Sequence, residues 1–476
     1  MSEFDAMSIK QLMDAAEECL EEKSDAYNPA KAADLFKRAA RLGSMTSLEK
    51  LGDCYFYGRG RDEDDKAALE AYAQAYEATG SSYSAYQLGR MYTFGWGVES
   101  NSSKARDFLE KSWADGYAAA AGILGDICLE SAQETKDARS VEEALKWYQR
   151  GLIKNDPYST YRMALVFSMG DYGVPEDKKR AYDLLMKASD YPRALGYLVA
   201  NNGLNMCSND QFSELVKKAA EMAESMNDGC LFRCLGRAYE GKTRLGEAPE
   251  KSIAYYEKAL AAGDGFAGYI AGSNYLHGWY GYPEDAEKAE QMLTKGSDLG
   301  CEQAMSTLGD LHKKRAEEVW PPNLEEMRAA FEWYEKAYLN GGTTWDAMHA
   351  GEAALKTKDD SLNERAVACL KSAMEDDIYW SYIPLVRFSL AEGASTYNPN
   401  LARQSLEKAR NEKIVEYETG EVDYLTGLMF EKGLGLPAAV NQAVEFYLKA
   451  SDKGNEEAKG ALKRFKKGIF GWKLIK

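Results

Sequence analysis

The stretch Leu88-Gly89-Arg90-Met91-Tyr92-Thr93-Phe94-Gly95-Trp96-Gly97-Val98 carries the pattern that decides the fold of this chain. A large residue and a glycine are followed one helical turn later by an aromatic residue, and then by a loop with two glycines. The first part lies on one face of a helix, and the Gly-x-Gly segment ends that helix. Because Leu51-Gly52, Leu124-Gly125 and Leu308-Gly309 begin similar stretches, this one is a copy of a repeat.

A second pattern lies in the helix that follows each stretch. Ala330-Phe331-Glu332-Trp333-Tyr334-Glu335-Lys336-Ala337 and Ala443-Val444-Glu445-Phe446-Tyr447-Leu448-Lys449-Ala450 show small residues at both ends and a bulky residue at the fifth position. Offsets of three, four and seven residues lie on one stripe of an α-helix, so large and small side chains alternate along one edge. Copies recur about every 37 residues. They begin at Ala32, Ala68, Ala105, Ala144, Ala181, Phe212, Ser252, Ala289, Ala330, Ala366, Ala402 and Ala443.

We name the first helix of each repeat helix A and the second helix B. Neither helix can bury its apolar edge alone, so successive pairs must stack, and the sequence predicts an all-α solenoid of about twelve helix-turn-helix repeats. Asn28-Pro29 and Asn398-Pro399 predict helix starts, with an N-cap asparagine before a proline in the first turn. Helix B ends are predicted at glycines suited to a left-handed residue: Gly43, Gly116, Gly263, Gly300, Gly341 and Gly454.

We divide the chain into three parts. Residues 1–24 are predicted to form an N-terminal capping helix, running from Ser8 to Glu22, that serves as helix A of the first repeat. Residues 25–454 form the solenoid, and residues 455–476 form a C-terminal capping helix with a basic and aromatic tail. Two repeats depart from the pattern: the Gly-x-Gly loop is missing between Tyr191 and Cys230, and Pro384 falls inside a predicted helix A.

The C-terminal part is predicted to stop the array. Lys463 and Lys466 occupy positions that are small and aromatic in earlier repeats, so no further repeat could stack on them. The tail that follows mixes lysines with Phe465, Ile469, Phe470 and Trp472. Such a mixture could dock on a membrane or an acidic partner, or its aromatic residues could fold back over the last repeat.

Composition limits the classes of function. The chain has 476 residues, 45% of them hydrophobic, and a net charge of −17. This acidity disfavours nucleic acids and anionic membranes and favours a basic or mixed-charge protein partner. No apolar run approaches the roughly 20 residues that span a bilayer. Because Met1-Ser2-Glu3-Phe4-Asp5 lacks a signal-peptide character, we expect a cytoplasmic protein with reduced cysteines.

Together, the Leu-Gly-x-x-Tyr-x-x-Gly-x-Gly-Val stretch and the following helix resemble the Sel-one-like repeat (SLR) family. The resemblance covers roughly residues 8–467. Tetratricopeptide repeats are the near relative, but their period is about 34 residues and they lack the Gly-x-Gly loop. The resemblance implies helix pairs stacked into a right-handed α/α superhelix and a role as an adaptor or scaffold. It also implies one alternative, since some members are reported to bind or cleave β-lactams.

By analogy with stacked helix pairs, helix A should line a concave face that binds partner proteins or peptides. We expect the residue just after each small position of helix A to be free of packing between the two helices. The candidate partner-binding residues at this position are Asp53, Arg90, Asp126, Arg237 and Asp310. The loop aromatics Trp96, Trp279 and Tyr280 are alternative anchors, unless they pack between successive loops.

The alternative function is a weak hydrolase or penicillin-binding activity. Ser47-Leu48-Glu49-Lys50 and Ser405-Leu406-Glu407-Lys408 match a Ser-x-x-Lys nucleophile motif, but neither has a Ser-Asp-Asn or Lys-Thr-Gly companion.

Metal chemistry finds no support in the sequence either. His277, His312 and His349 do not occupy equivalent repeat positions, and Cys230 and Cys234 indicate two small buried side chains rather than metal ligands. The sequence therefore predicts a non-enzymatic scaffold without a cofactor or metal, and leaves its oligomeric state open.

Overall fold

The computed structural model describes residues 7–21, 24–135, 137–240, 244–246, 248–411, 420–468 and 471–475. In this part of the chain there are 25 α-helices and two short strands, which confirms the predicted all-α repeat architecture. The chain divides into two compact units, residues 1–222 and 223–476.

The helices of the first unit follow one another with short loops between them. They are α1 (Ile9–Glu18), α2 (Pro29–Arg41), α3 (Met45–Phe56), α4 (Asp65–Thr79), α5 (Ser82–Phe94), α6 (Ser102–Ala114), α7 (Ala120–Thr135), α8 (Ala138–Ile153), α9 (Pro157–Met169), α10 (Lys178–Lys187) and α11 (Pro192–Ala200). The next helix, α12 (Asn209–Met226), contains the boundary between the units.

The second unit repeats the same arrangement. Its helices are α13 (Gly229–Ala238), α14 (Pro249–Ala261), α15 (Gly265–His277), α16 (Ala286–Asp298), α17 (Glu302–Glu317), α18 (Leu324–Leu339), α19 (Thr344–Thr357), α20 (Asn363–Glu375), α21 (Tyr382–Ser389), α22 (Pro399–Asn411), α23 (Glu421–Lys432), α24 (Val440–Asp452) and α25 (Glu456–Leu462). Short 3-10 turns lie at Asn202–Asn205, Trp279–Gly281, Asp360–Leu362 and Tyr379–Ser381.

Packing follows chain order within each unit. In the first unit each odd-numbered helix from α1 to α9 is a helix A and packs against the helix B that follows it. In the second unit the same holds from α13 to α23. Each helix B also contacts the next helix A, as α4 contacts α5 and α16 contacts α17. Successive pairs within each unit therefore cover one another, as a repeat array requires.

The predicted helix boundaries are confirmed at both ends of helix B. Asn28 caps α2 and accepts a hydrogen bond from the Lys31 amide at 3.0 Å, and Asn398 accepts one from the Leu401 amide at 3.1 Å. Pro29 and Pro399 follow these caps in the first turn, where a missing amide hydrogen costs nothing. The glycines predicted after helix B have left-handed φ between +82° and +97°: Gly43, Gly116, Gly263, Gly300, Gly341 and Gly454.

The core of each pair is a close contact between a glycine of helix A and the bulky residue of helix B. A Cβ atom on Gly125 would lie 2.3 Å from Cε1 of Tyr148, and one on Gly89 would lie 2.5 Å from Cγ of Leu109. No side chain larger than hydrogen fits there, so the helices approach closely and the bulky side chain is fully buried. The same contact joins Gly52 to Tyr72, Gly236 to Tyr256, Gly272 to Leu293, Gly309 to Tyr334, Gly351 to Leu370 and Gly427 to Tyr447.

The second glycine of the Gly-x-Gly loop couples one repeat to the one before it. Gly97 has φ +66°, and a Cβ atom there would lie 2.5 Å from the carbonyl carbon of Asp65, at the start of the preceding helix B. Gly60 and Gly435 approach Pro29 and Pro399 in the same way. The loop glycine is therefore needed both for its left-handed backbone and for contact with a neighbouring helix start.

The two irregular repeats are shortened in helix A. After α11 the chain makes the Asn202–Asn205 turn, in which Asn202, Gly203, Leu204 and Asn205 all have positive φ. Pro384 lies in the first turn of the eight-residue helix α21, which follows the Tyr379–Ser381 turn. A proline is tolerated in a first turn, so Pro384 begins this helix A rather than interrupting it.

The N-terminal helix is shorter than predicted. Ser8 caps α1, which ends at Glu18, while Leu12 and Ala16 are buried against the first repeat. The expectations for Met1–Asp5 and for Glu22 fall outside the described residues.

The C-terminal tail contains strands that the sequence pattern did not predict. After α25, β1 (Phe465–Gly468) pairs antiparallel with β2 (Gly471–Leu474). Phe465 is buried with its ring 6.0 Å from that of Tyr447, and the Trp472 amide donates to Asn441 at 2.9 Å. These contacts support the interpretation in which the tail folds back over the last repeat. Ile469 and Phe470 lie outside the described residues.

We predict that Gly125→Ala lowers stability by about 1–3 kcal/mol, because the new methyl group must displace the buried ring of Tyr148. Urea unfolding followed by far-UV circular dichroism measures the effect as a fall in the midpoint. Gly460→Ala in α25 is the matched control, since a Cβ atom there meets nothing within 4 Å and should be neutral or stabilising. Equal midpoints for the two variants would contradict the close-contact interpretation.

Candidate partner-binding face

The expectation that Asp53, Asp126 and Asp310 are free of packing between helices is wrong. Each accepts a hydrogen bond from the buried tyrosine of its own pair. The distances are 2.7 Å from Tyr72 to Asp53, 2.6 Å from Tyr148 to Asp126 and 2.7 Å from Tyr334 to Asp310. A ring that lies over a glycine brings its hydroxyl within reach of the next residue of helix A, and a buried hydroxyl needs such an acceptor.

Where the residue after the glycine is not acidic, a carboxylate one turn later takes the same role. Tyr256 donates to Glu240 at 2.6 Å and Tyr447 to Glu431 at 2.5 Å, each acceptor four residues after its glycine. Positions one and four residues after the glycine are neighbours on the helix surface, so both reach the tyrosine hydroxyl. Burial, followed by the nearby carboxylate, raises the pKa of these tyrosines, and so they remain donors.

Asp53 and Asp126 also join successive repeats. Asp53 accepts from Tyr83 of the next helix A at 2.6 Å. Asp126 accepts from Tyr158 at 2.5 Å and from Nε of Arg162 at 2.6 Å, and its side chain is only 15% exposed. Because three donors already bind this carboxylate, it stabilises the repeat array, and it has little accessible surface or acceptor capacity for another protein. Whether Asp53 or Asp126 also contacts a partner stays a prediction.

Arg90 lies in an aromatic cage built by its own chain. Its guanidinium carbon is 5.5 Å from the centre of the Phe56 ring, 5.6 Å from Tyr86 and 5.1 Å from Trp96. It also donates to Gln87 at 2.8 Å. Trp96 packs in turn on Phe56 at 5.1 Å, which supports the packing interpretation of this loop aromatic. Arg90 is therefore a cation already stacked on rings.

The other predicted residues face solvent. Arg237 is exposed on α13, and Trp279 is 51% exposed with its ring 4.5 Å from that of His277. Tyr280 is also exposed. Because these side chains are accessible, they remain predicted anchors for a partner.

The two Ser-x-x-Lys motifs do not present a nucleophile to solvent. Ser47 is completely buried, and its hydroxyl contacts the Met13 sulfur and the Ser44 hydroxyl at 2.7 Å each. Ser405 is also completely buried and donates to the Leu401 carbonyl in its own helix at 3.0 Å. Both serines therefore have packing roles, and the structure gives no support to the hydrolase alternative.

Two further observations concern metal binding and membrane spanning. Within the described ranges, no group of three or more His, Cys, Asp or Glu side chains is arranged to hold a metal ion. The same ranges contain no helix with the length and apolar character needed to cross a membrane.

The helix A face of the second unit contains an open groove of about 380 Å³. It runs across three successive A helices, α15, α17 and α19, together with the loop before α19. Tyr269 comes from α15, Glu302, Gln303, Ser306, Thr307 and Asp310 from α17, and Gly341, Gly342, Thr343, Trp345, Asp346 and His349 from the loop and α19. One predicted residue, Asp310, therefore lines a groove.

The groove is acidic and has an aromatic wall. Among the described residues that line it, Glu302, Asp310 and Asp346 are acids, and none is lysine or arginine. Asp310 is exposed although one of its oxygens accepts from Tyr334. Trp345 is 45% exposed, whereas Asp346 is buried and fixed by the Thr343 amide at 2.8 Å. The arrangement can bind a cation beside a ring.

Sequence reasoning missed Trp345. Trp345 lies six residues before Gly351, the small residue of its helix A. Tyr83 and Tyr158 lie six residues before the corresponding small residues, Gly89 and Ala164. Those two tyrosines donate to acids of the preceding helix A, whereas the indole at the same register lines the groove together with Asp310. The aromatic side chain six residues before the small position was the available signal.

Stacked helix pairs with an extended helix A face define an all-α repeat protein of the interaction-scaffold type. The Sel1 repeat model matches residues 23–44, 47–79, 82–117, 119–156, 157–190, 235–264, 268–301, 321–342 and 421–455. These matches cover more than half of the chain, which therefore belongs to the Sel1 repeat family. The irregular repeat between Tyr191 and Cys230 and the one containing Pro384 lie outside the matched ranges.

Similar proteins occur in a fission yeast. Chitin synthase regulatory factor 4 of Schizosaccharomyces pombe is 27% identical over 265 residues, which are 51% of this chain and 39% of that protein. An uncharacterized Sel1-like repeat-containing protein of the same organism is 31% identical over 80 residues, which are 17% of this chain and 12% of that protein. The chain thus matches less than half the length of either relative.

Solved structures of repeat proteins are also similar. A protective antigen of uropathogenic Escherichia coli with an SLR fold is 21% identical, with 90% of each chain covered and a TM-score of 0.37. A Sel1 repeat protein from Oxalobacter formigenes is 20% identical, with 61% of this chain and 98% of that chain covered and a TM-score of 0.36.

We predict that Asp126→Ala lowers stability by about 2–4 kcal/mol, because it leaves two tyrosine hydroxyls and the Arg162 guanidinium without their acceptor. Tyr148→Phe removes one donor and should cost about 0.5–1.5 kcal/mol. Differential scanning calorimetry would rank the variants by melting temperature. Asp107→Ala on the exposed face of α6 is the control and should change stability by less than about 0.5 kcal/mol. An Asp126 variant as stable as this control would show that the network is dispensable.

Proposed function

We propose that this chain is a scaffold that binds a partner protein through an extended basic segment, held in the groove formed by α15, α17 and α19. The observation that carries the proposal is that the exposed Trp345 lines the same groove as the acids Asp310 and Glu302. A lysine or arginine of the partner would place its charge between the carboxylates and its alkyl chain on the indole.

The negative charge of the chain favours a basic partner both at long range and in direct contact. At long range the net charge of −17 attracts a basic segment and repels an acidic one. At short range an exposed ion pair contributes about 0.2–1 kcal/mol and an exposed cation–π contact about 0.5–1 kcal/mol. Such contacts discriminate against acidic segments more than they raise affinity. We therefore expect dissociation constants on the order of micromolar for one groove.

The shape of the groove supports an extended occupant. Three successive A helices contribute to it, so a bound segment would cross several repeats rather than enter one pocket. The side chains that line the groove are mostly polar. Those of Gln303, Ser306 and Thr307 would form hydrogen bonds with the backbone of an extended segment. Because repeats present similar faces in succession, a longer partner would gain affinity from simultaneous contacts.

The similarity to chitin synthase regulatory factor 4 supports a role in which a repeat protein acts on another protein. The identity of the partner stays open, and the β-lactam alternative has no observation in its favour. A cytoplasmic location and the absence of nucleic acid binding stay predictions from the sequence, and cell fractionation would check the first of them.

The proposal is tested by fluorescence polarisation with two labelled peptides, one that alternates lysine with glycine and one that alternates glutamate with glycine. We expect the full chain to bind the lysine peptide and not the glutamate peptide. Trp345→Ala and Asp310→Asn should each weaken binding roughly 3- to 10-fold. Asparagine can still accept from Tyr334, so Asp310→Asn removes charge without removing the structural hydrogen bond.

Two matched variants control for exposure and charge. Trp279→Ala removes a comparably exposed tryptophan of the same unit that lies outside the groove and is the alternative predicted anchor, and Asp298→Asn removes an exposed acid at the end of α16. Both should bind the lysine peptide as the unmodified chain does. A loss of affinity in Trp279→Ala without one in Trp345→Ala would place the binding face elsewhere. Equal binding of the two peptides would rule out a basic partner.

A further inference from the structure

Cys230 and Cys234 lie one turn apart at the start of α13, and their environment differs from the one the sequence predicted. We expected two small buried side chains, but Cys230 is exposed and Cys234 is only partly buried. Asp228 caps this helix and accepts from the Leu231 amide at 2.8 Å, so Cys230 lies in the first helical turn. Amide hydrogens and the positive end of the helix dipole favour an anion in that turn.

Two specific contacts add to the helix dipole. Nη2 of Arg233 donates to the sulfur of Cys230 at 3.3 Å, and the thiols of Cys230 and Cys234 are hydrogen bonded to each other. The guanidinium is itself held in place, because its Nε donates to Asp264 at 2.8 Å. The sulfur of Cys230 therefore faces both a fixed positive charge and a donor thiol.

These contacts shift the pKa values of the two thiols in opposite directions. The hydrogen bond from Cys234 lowers the pKa of Cys230 to about 7, with Arg233 assisting and with partial burial, Asp264 and Asp228 opposing. The same hydrogen bond, followed by burial, raises the pKa of Cys234. Near neutral pH the thiolate form is therefore more favoured at Cys230 than at an ordinary cysteine.

Cys128 has a similar arginine contact in a different environment. Nη2 of Arg106 lies 3.5 Å from the sulfur of Cys128, much as Arg233 lies near Cys230. Cys128 is only 1% exposed, however, and burial raises its pKa. Exposure and the second thiol therefore distinguish Cys230 within this chain.

We propose that Cys230 is a redox-reactive thiol and that Cys234 resolves its oxidised form, with a hydroperoxide as the oxidant. The thiolate of Cys230 attacks the peroxide, the O–O bond breaks, and Cys230 becomes a sulfenic acid while the leaving oxygen takes a proton and departs as water or an alcohol. The sulfur of Cys234 then attacks the sulfenic sulfur and gives up its proton as the S–S bond forms, and the sulfenic hydroxyl group leaves with that proton as water. Two electrons pass from the thiols to the peroxide.

The helix turn must tighten for the disulfide to form. Residues four apart on a helix have Cβ atoms about 5–6 Å apart, whereas a disulfide needs about 3.5–4.5 Å. In the first turn this adjustment is less costly than in the middle of a helix, because the first amide hydrogens have no partner within the helix. The inference does not depend on the proposed groove, since it concerns a different helix and a different chemistry.

Alkylation of the full chain with iodoacetamide, followed by peptide mass spectrometry, tests the first half of the proposal. We expect Cys230 to react fastest, with a rate midpoint near pH 7, and Cys128 to remain unmodified in the folded chain. A Cys230 rate that rises with the midpoint of an ordinary cysteine, about pH 8.5, would overturn the proposal.

Peroxide treatment tests the second half. The unmodified chain should lose two hydrogens in the peptide that contains both cysteines. Cys234→Ser keeps a donor hydroxyl, so its Cys230 should stop at a sulfenic acid that dimedone traps, and Cys230→Ser should leave Cys234 reduced at the same dose. Circular dichroism confirms that each variant is folded. An unbridged pair in the oxidised unmodified chain, or oxidation of Cys234 in Cys230→Ser, would refute the assigned roles.

Discussion

The structure depends on the contact between a glycine in helix A and a large side chain in helix B. With no Cβ atom in the way, the ring of Tyr148 lies directly on the backbone at Gly125, and the two helices approach more closely than other side chains would allow. The contact recurs in both units with either tyrosine or leucine in the bulky position. Since each pair exposes apolar edges to its neighbours, a single helix pair is not stable without the pairs packed on either side of it.

The choice between tyrosine and leucine has a second consequence. A leucine such as Leu109 is wholly apolar, whereas a tyrosine carries a hydroxyl that needs an acceptor and finds one on helix A. An acid therefore appears one or four residues after the glycine wherever the bulky residue is tyrosine, as in Asp126 and Glu240. Part of the negative charge on the helix A face thus has a structural origin.

The environment of each acid decides whether it can also contact another molecule. Asp126 is nearly enclosed by Tyr148, Tyr158 and Arg162, while Asp310 keeps one side open to the groove.

Sequence periodicity predicted the pairs because packing acts through short, regular spacings along one helix face. It did not predict the hydrogen bonds of Asp53, because the donors Tyr72 and Tyr83 are 19 and 30 residues away on other helices. The C-terminal strands were missed for a related reason. Residues Phe465 to Leu474 are too few to show a period, and contacts with Tyr447 and Asn441 on α24 help to fix their conformation.

The sequence by itself determined the helix pairs, their caps and the glycine ends of helix B, because these rest on local backbone preferences and on apolar spacing within one or two turns. Only the tertiary structure decided which acids are satisfied and which face a groove, that Trp345 and Asp310 line the same groove, and that Cys230 is exposed next to Arg233 and Cys234. Those features depend on side-chain direction and on distances between residues of different repeats. A one-dimensional pattern brings such residues into register but does not set the distance between their atoms.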